Sequence, residues 1–209
     1  MNNDYIDSKQ VKVLHKTYTI KIFQDDSPIS PREGDNLGTI ICWHRNYDLG
    51  EINGRKGNID PHEFVAQKRK EGAVILPVYL YDHSGITINT TGFSCQWDSG
   101  QVGWIFADKD AIRKWYQVKN ITKKLREQVR DHLMNEIEIF DKYIREEMYG
   151  FIIEDEDEKH IDSCWGFYYE RECMEYAESQ IPSEQDILNG MKKEELKQDE
   201  AIANLVGIA

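Results

Sequence analysis

The spacing of apolar residues along the chain predicts several short strands. Residues 11–23 alternate apolar and polar positions over most of their length, which predicts one half-buried strand. Pro77 lies inside an apolar run and has no amide hydrogen, so its strand is expected to lie at a sheet edge or to contain a bulge. The runs that predict further strands are bounded by turn residues and cover 39–43, 73–81, 86–90 and 102–106.

Helices are predicted between and after these strands. Asp60 followed by Pro61 is typical of a helix start, and Gly72 of a helix end. Asp108 is expected to cap a second helix. The longest helix is predicted over 122–148, where one apolar stripe repeats at steps of three or four residues: Leu125, Val129, Leu133, Ile137, Phe140, Ile144 and Met148.

The C-terminal part of the chain predicts a hairpin and then a helix. Residues 149–169 have the pattern of two strands joined by a turn, and this turn holds five consecutive acidic residues at 154–158. A helix is predicted near 170–179. Pro182 is expected to interrupt the helical structure, and a weakly packed tail is expected after it.

Together these elements predict an α+β fold with a mixed, largely antiparallel sheet and the long amphipathic helix packed across one face. A helix with so long an apolar stripe needs a surface to bury it against, and the short strands supply one. We expect residues 1–170 to form a single α+β domain and residues 171–209 to form an acidic helical C-terminal extension. The oligomeric state stays open, because the same stripe could meet a second subunit.

Charge is distributed unevenly along the chain. The net charge of the 209 residues is −12; residues 151–209 hold 16 acidic and 5 basic residues, whereas residues 1–150 hold 22 acidic and 21 basic residues. Excess acid repels phosphates, so direct binding to DNA is not expected. A concentrated acidic surface instead fits a basic groove on another protein, divalent cations, or water alone.

Neither the apolar runs nor the cysteines point to a membrane or secreted protein. No run approaches the roughly 18 apolar residues of a membrane span, and the first residues lack a basic-then-apolar leader. The cysteines have no CxxC spacing, which argues against a zinc ribbon or a disulfide scaffold. We therefore expect a soluble, cytoplasmic protein with reduced thiols, no bound metal and no membrane partner.

A candidate catalytic site lies at the ends of two predicted strands. Asp82 and His83 follow one strand and Asp98 precedes another, so two loops could bring them together, and His44 and Asp48 could join them. Carboxylates and a histidine could hold a divalent cation that activates water, as in a metal-dependent nuclease or hydrolase. The same residues also stand in Asp-His-Ser-Gly and Asp-Ser-Gly, which are typical of turns, and no spacing matches a known metal motif.

Two other kinds of chemistry find less support in the sequence. Cys95 could pair with His83 as a nucleophile, but a reactive thiol needs an electropositive setting that the sequence does not show. The glycines form neither a GxxxxGK[ST] loop nor a strand-bounded GxGxxG, so nothing indicates a nucleotide site.

The acidic run at 154–158 is a candidate binding surface. A hydrated hairpin turn is the simpler interpretation of such a run. More acidic residues follow it as far as residue 186, however, with only Lys159 and Arg171 between them, so carboxylates on a rigid scaffold could imitate the phosphates of a nucleic acid. The candidate partner-binding residues are Glu154, Asp155, Glu156, Asp157, Glu158 and Asp162.

Three segments carry a resemblance to a known group of proteins. They are DNLGTIICWHRNYDLG, ILPVYLYDHSGITINTTGFSCQWDSGQVGWIF and YGFIIEDEDEKHIDSCWGFYY, and they lie within roughly residues 35–170. The chain resembles a family of small proteins carried by phages, plasmids and other mobile elements of Gram-positive bacteria, and that family is similar to type II anti-CRISPR proteins, which inhibit Cas9 or its guide complex. The resemblance supplies no catalytic residue.

The resemblance and the acidic surface together imply a function. Cas9 holds nucleic acid in positively charged channels. We expect an anti-defence protein that binds Cas9 or the Cas9–guide RNA complex through an acidic, nucleic-acid-mimicking surface, without a cofactor. The alternative is a metal-dependent nuclease that cleaves guide RNA or DNA with Asp82, His83 and Asp98 around a divalent cation. A different defence or replication partner is a third possibility.

Overall fold

The computed structural model describes the backbone of residues 5–206 and the side chains of residues 5–193, 197 and 198. The chain divides into two compact units: a terminal unit, which combines the two ends of the chain up to Asp26 and from Met148 onward, and a central unit, Ser27–Glu147. The elements in chain order are β1 (Asp7–Val13), β2 (Lys16–Gln24), a 3-10 turn (Pro31–Glu33), β3 (Thr39–Cys42), β4 (Ile52–Asn53), α1 (Pro61–Glu71), β5 (Val74–Asp82), β6 (Ile86–Asn89), β7 (Ser99–Ala107), α2 (Lys109–Tyr116), α3 (Lys123–Ile144), β8 (Tyr149–Glu154), β9 (His160–Phe167), α4 (Glu170–Ser179) and α5 (Glu184–Val206).

The terminal unit is an antiparallel four-stranded sheet with a helix on one face. Its strand order is β1-β2-β8-β9, so β2 and β8 lie in the middle. From α4, Cys173 and Ala177 are fully buried against this sheet, and burial raises the pKa of the Cys173 thiol to about 12. The core consists of Tyr18, Ile20, Ile22, Phe151, Ile153, Cys173, Ala177 and Ile187.

The single strand predicted over 11–23 is wrong, because this segment belongs to a hairpin. β1 ends at Val13, Leu14 turns the chain with a φ of 57°, and β2 begins at Lys16. Leu14 is apolar, so the turn carries none of the glycine, asparagine or proline signals that mark most turns. The alternation of apolar and polar residues continues on both sides of the turn, which gives the pattern of one longer strand.

The central unit contains the mixed, largely antiparallel sheet that the sequence predicts. Its strand order is β4-β3-β7-β5-β6; β3 and β4 run parallel, and the other described pairs run antiparallel. α3 packs across one face, against β5, β6 and β7. The predicted α+β fold with a long amphipathic helix across the sheet is therefore confirmed. The stripe residues that α3 buries are Leu125, Val129, Leu133, Ile137 and Phe140.

Pro77 lies in an inner strand but has a pairing partner on one side only among the described residues, because the pairing of β5 with β6 covers only Tyr79–Asp82. The predicted edge position therefore holds locally. β5 is flanked by β7 and β6, and Pro77 stands opposite Trp104. The predicted bulge is also present, because the pairing of β5 with β7 shifts register between Val78 and Tyr79.

The C-terminal part differs from the predicted arrangement. The predicted domain boundary after residue 170 falls at the first residue of α4, inside the terminal unit. The predicted helix near 170–179 is present as α4 and contributes to the core rather than extending from it. After Pro182, where a weakly packed tail is predicted, α5 begins at Glu184 and buries Ile187.

A buried carboxylate attaches the first residues of the central unit to α3. Glu136 is only 7% exposed, and its oxygens accept the amide hydrogens of Leu37 at 2.8 Å and Gly38 at 3.1 Å. Nη1 of Arg32 donates to the same carboxylate at 2.8 Å, and Nε2 of His132 lies 3.3 Å from it. The role of Glu136 could not be predicted from the sequence, because a single acid beside an apolar stripe does not reveal partners about 100 residues away in the chain.

Candidate functional site

The structure brings the predicted residues Asp82, His83 and Asp98 together at one end of the five-stranded sheet. Asp82 ends β5, and Asp98 directly precedes β7. The amide of Asp82 donates to the carbonyl oxygen of Asp98 at 2.8 Å, and Nδ1 of His83 lies 3.4 Å from Oδ2 of Asp98. The two loops therefore lie side by side, as the positions of these residues relative to the strands imply.

Asp82 is engaged by a tyrosine rather than by the other candidates. The hydroxyl of Tyr47 donates to Oδ2 of Asp82 at 3.0 Å, and this hydrogen bond raises the pKa of Tyr47. His44 stacks on Tyr47, with ring centroids 4.9 Å apart. Asp48 lies 3.7 Å from Nζ of Lys56. His44 and Asp48 thus make their contacts with residues that follow β3 in the chain. No hydrogen bond or ion pair among the described residues joins them to Asp98.

Asp98 is shared between a histidine and a thiol. Sγ of Cys95 lies 3.6 Å from Oδ2 of Asp98, the same oxygen that faces His83. The hydroxyl of Ser99 donates to the carbonyl oxygen of Cys95 and closes this loop. Within the part of the chain that the structure describes, no hydrogen bond joins Cys95 to His83, so the thiol and the imidazole do not form the contact that a nucleophile and its base require.

The geometry at these strand ends is that of two hydrogen-bonded turns with an exposed histidine–aspartate pair. Ser84 and Gly85 have positive φ angles of 56° and 141°, as the turn interpretation expects. The side chains of His83 and Asp98 are 63% and 40% exposed. Among the described residues, no group of three or more His, Cys, Asp and Glu side chains is placed to hold a metal ion.

The acidic hairpin, which we define as residues 154–159 between β8 and β9, begins with an ion pair. Nζ of Lys21 on β2 donates to Oε2 of Glu154 at 2.5 Å. The two side chains are only 18% and 21% exposed, and the hydrogen bond to Glu154 raises the pKa of Lys21. Glu154 is therefore neutralised by the neighbouring strand.

Asp155 has a structural role in the same turn. Its Oδ1 accepts the amide hydrogens of Asp157 at 3.0 Å and Lys159 at 2.9 Å. Glu158 takes a left-handed conformation with a φ of 59°, which the tight turn requires. The carboxylate of Asp155 thus adds two hydrogen bonds to those that its own backbone makes with Glu158 and Lys159.

The tip of the acidic hairpin carries three free carboxylates. Glu156, Asp157 and Glu158 are exposed, and no ion pair within the described residues engages them. Asp162 stands on β9 opposite Ile153, is half-buried, and accepts the amide hydrogen of Ser163 at 2.8 Å. Of the six predicted partner-binding residues, these three side chains are therefore the exposed ones without an ion pair in the described part of the chain, and Glu158 is close enough to Lys21 to contribute to the raised pKa of that lysine.

The uneven distribution of charge along the chain corresponds to the division into two units. The terminal unit holds 20 acidic and 9 basic residues, a net charge of −11, and the central unit holds 18 acidic and 17 basic residues, a net charge of −1. The acidity of the chain is thus a property of the unit that carries the acidic hairpin.

No family model, no curated protein and no solved structure matches this chain. Every helix in the described part of the chain is too short or too polar to cross a membrane. The features of the chain that bear on its function are therefore the geometry and charge of the acidic hairpin and of the strand ends.

Proposed function

We propose that this chain is a binding protein of a mobile element that inhibits Cas9, or its complex with guide RNA, in the cytoplasm of a bacterial host. The acidic hairpin enters a positively charged nucleic-acid channel of the nuclease and takes the place of phosphates. The observation that carries the proposal is the concentration of a net charge of −11 in the terminal unit, with three unpaired carboxylates at the hairpin tip.

The structure of the hairpin supports a rigid contact. Asp155 fixes the turn through two backbone hydrogen bonds, and the pair of Glu154 with Lys21 fixes its base. Carboxylates held in one arrangement lose little conformational entropy on binding and steer association with a basic groove. Glu156, Asp157 and Glu158 are therefore the residues that contact the partner.

The test is cleavage of target DNA by guide-loaded Cas9 at increasing concentrations of this protein. We expect cleavage to stop near equimolar protein while the guide RNA stays intact on a denaturing gel. The variant E156Q/D157N/E158Q should inhibit about tenfold more weakly at low salt, because steering by charge is lost. The matched control E63Q/E127Q/D131N removes three exposed acids of the central unit and should inhibit like the unmodified protein.

Two results would contradict this proposal. Full cleavage at a large excess of the protein would remove Cas9 as the target. A shortened guide at substoichiometric protein would favour the alternative, a metal-dependent nuclease, for which the contact of His83 with Asp98 is the supporting observation. Incubating the guide alone with the protein, with Mg²⁺ or with EDTA, separates that activity from Cas9, and the variant D82N/D98N should abolish it.

A further inference from the structure

Two adjoining grooves lie on the face of the five-stranded sheet opposite α3. The first, of about 400 Å³, runs between α1 and the sheet and is lined by His62, Arg69, Tyr79, Gln101 and Trp104 among others. The second, of about 200 Å³, is lined by Trp43, His44, Arg45, Arg55, Gln101 and Val102. Gln101 belongs to both, so the two grooves form one continuous surface.

The strand register explains why these side chains share a face. Tyr79 stands opposite Gln101, and Pro77 stands opposite Trp104, in the pairing of β5 with β7. Their neighbours Val78 and Ile105 are buried in the core on the α3 side. Because successive side chains of a strand point to opposite faces, Tyr79, Gln101 and Trp104 lie on the face away from α3.

The grooves are basic in a chain that is otherwise acidic. No carboxylate is among the residues that line either groove. Arg45, Arg55 and Arg69 are exposed, and none of the three has an ion pair within the described residues. Nearby acids are occupied by other cations: Asp48 lies against Lys56, and Glu51 binds Arg32. An unpaired arginine offers a planar set of donors to a phosphate.

The two tryptophans of the grooves are held in place by defined contacts. Nε1 of Trp43 donates to the carbonyl oxygen of Ile59 at 2.8 Å. The ring of Trp104 packs edge-on against Trp43, with centroids 5.4 Å apart and an interplanar angle of 88°. Trp104 and Tyr79 remain half-exposed in the first groove. A fixed, half-exposed aromatic ring can stack on an unpaired base and loses little entropy in doing so.

We infer that this face binds single-stranded nucleic acid, with bases against Trp104 and Tyr79 and phosphates on Arg45, Arg55 and Arg69. Stacking on a protein ring requires an unpaired base, so a single strand fits and an intact duplex does not. The expectation of no direct binding to DNA came from the net charge of the chain, whereas these grooves lie in the nearly neutral central unit. The inference goes beyond the proposed inhibition and does not depend on it.

The test is fluorescence anisotropy of labelled oligo(rU) and oligo(dT) of about 12 nucleotides with the full-length chain. We expect saturable binding that weakens as salt rises from about 50 to 200 mM. The variant R45Q/R55Q/R69Q should bind at least tenfold more weakly and should lower the salt slope by about 2, since each phosphate contact on a single strand contributes about 0.7. The matched control K123Q/K124Q/R130Q removes three exposed charges from α3 and should bind normally.

Stacking is tested separately from charge. Y79L and W104L should each weaken binding about tenfold without changing the salt slope. No ring contact among the described residues joins Tyr79 to Trp43, whereas Trp104 packs on that ring, so Y79L remains informative if W104L fails to fold. The hairpin variant E156Q/D157N/E158Q should bind the oligonucleotides normally, so a failure here and a failure of the proposed inhibition can be told apart.

Several outcomes would overturn the inference. They are no binding at low salt, an equal loss in the α3 control, duplex DNA competing as well as the single strand, or labelled poly-glutamate binding as tightly as the oligonucleotide. The last result would assign the grooves to acidic protein segments instead.

Discussion

Glu136 shows how much one side chain determines in the central unit. It binds two backbone amides and Arg32 while being almost fully buried. Arg32 also donates to Glu51 at 2.6 Å and to the carbonyl oxygen of Gly38 at 2.7 Å. A single carboxylate on α3 therefore organises the chain between Arg32 and Gly38, where no strand or long helix does so.

We predict that E136A lowers the free energy of unfolding by about 3 kcal/mol, because it leaves a buried guanidinium and two buried amides without their acceptor. Urea denaturation followed by circular dichroism measures the loss. The control E127A removes an exposed acid of the same helix that has no ion pair among the described residues, and its effect should stay below about 0.5 kcal/mol. Equal stability of E136A and E127A would contradict this account of the network.

For the acidic hairpin, the sequence does not show which individual carboxylates are structural and which are free to bind a partner. The run at 154–158 is visible as five acids, but Lys21, which neutralises Glu154, lies 133 residues earlier in the chain. The carboxylate of Asp155 binds two backbone amides of the turn, and the run of five acids does not show which of them does so. The position of the acidic hairpin could be predicted from the sequence, whereas the division between structural and free carboxylates depends on tertiary contacts.

For helices and strands, the correct predictions are those that rest on capping and turn residues close in sequence. The side chain of Asp60 accepts the amide hydrogen of Glu63, Pro61 opens α1, and Gly72 ends it with a φ of 81°. Each of these signals acts within four residues, so the sequence places this helix correctly. The turn at Leu14 lacks such a signal, and the bulge in β5 depends on the partner strand β7.

Gly150 is required by the packing of Trp165 on the neighbouring strand. A Cβ atom at Gly150 would lie 2.1 Å from Cε3 of Trp165, and the two residues stand opposite each other in the β8–β9 pair. We predict that G150A lowers the free energy of unfolding by about 1–3 kcal/mol through this clash. It should also shift the tryptophan emission to longer wavelength, because Trp165, which is already 46% exposed, loses its contact over Gly150.

The matched control for this prediction is G100A on β7. A Cβ atom at Gly100 meets no atom within 4 Å, so this variant should match the unmodified protein in stability and emission. If G150A and G100A unfold at the same urea concentration with the same emission, Trp165 does not need the space over Gly150.

Among the residues that the structure describes, the buried apolar side chains form two cores that share no residue. The terminal core combines residues from β2, β8, α4 and α5, and the central core lies between Leu37 and Phe140. The pairing of β2 with β8 joins parts of the chain more than 120 residues apart, and the spacing of apolar residues cannot specify such a pairing. This is why one sheet was predicted from strands that in fact form two.

The chain enters and leaves the central unit at neighbouring points. The amide of Asp25 donates to the carbonyl oxygen of Met148 at 2.8 Å. A linker of about four glycine and serine residues, which reaches roughly 3.5 Å per residue, can therefore join Asp26 to Met148 without straining the terminal sheet. We predict that the terminal unit closed in this way and the central unit Ser27–Glu147 each fold alone.

Cooperative urea unfolding and circular dichroism of the two separate pieces measure this independence. A central piece that ends at residue 122 lacks α3 and therefore Leu133 and Ile137 of its core, so it should not unfold cooperatively. If both complete pieces fold, the terminal piece should retain the inhibition assigned to the acidic hairpin and the central piece should retain the oligonucleotide binding. If either complete piece behaves like the control that lacks α3, the two cores depend on each other and the division into independent units is wrong.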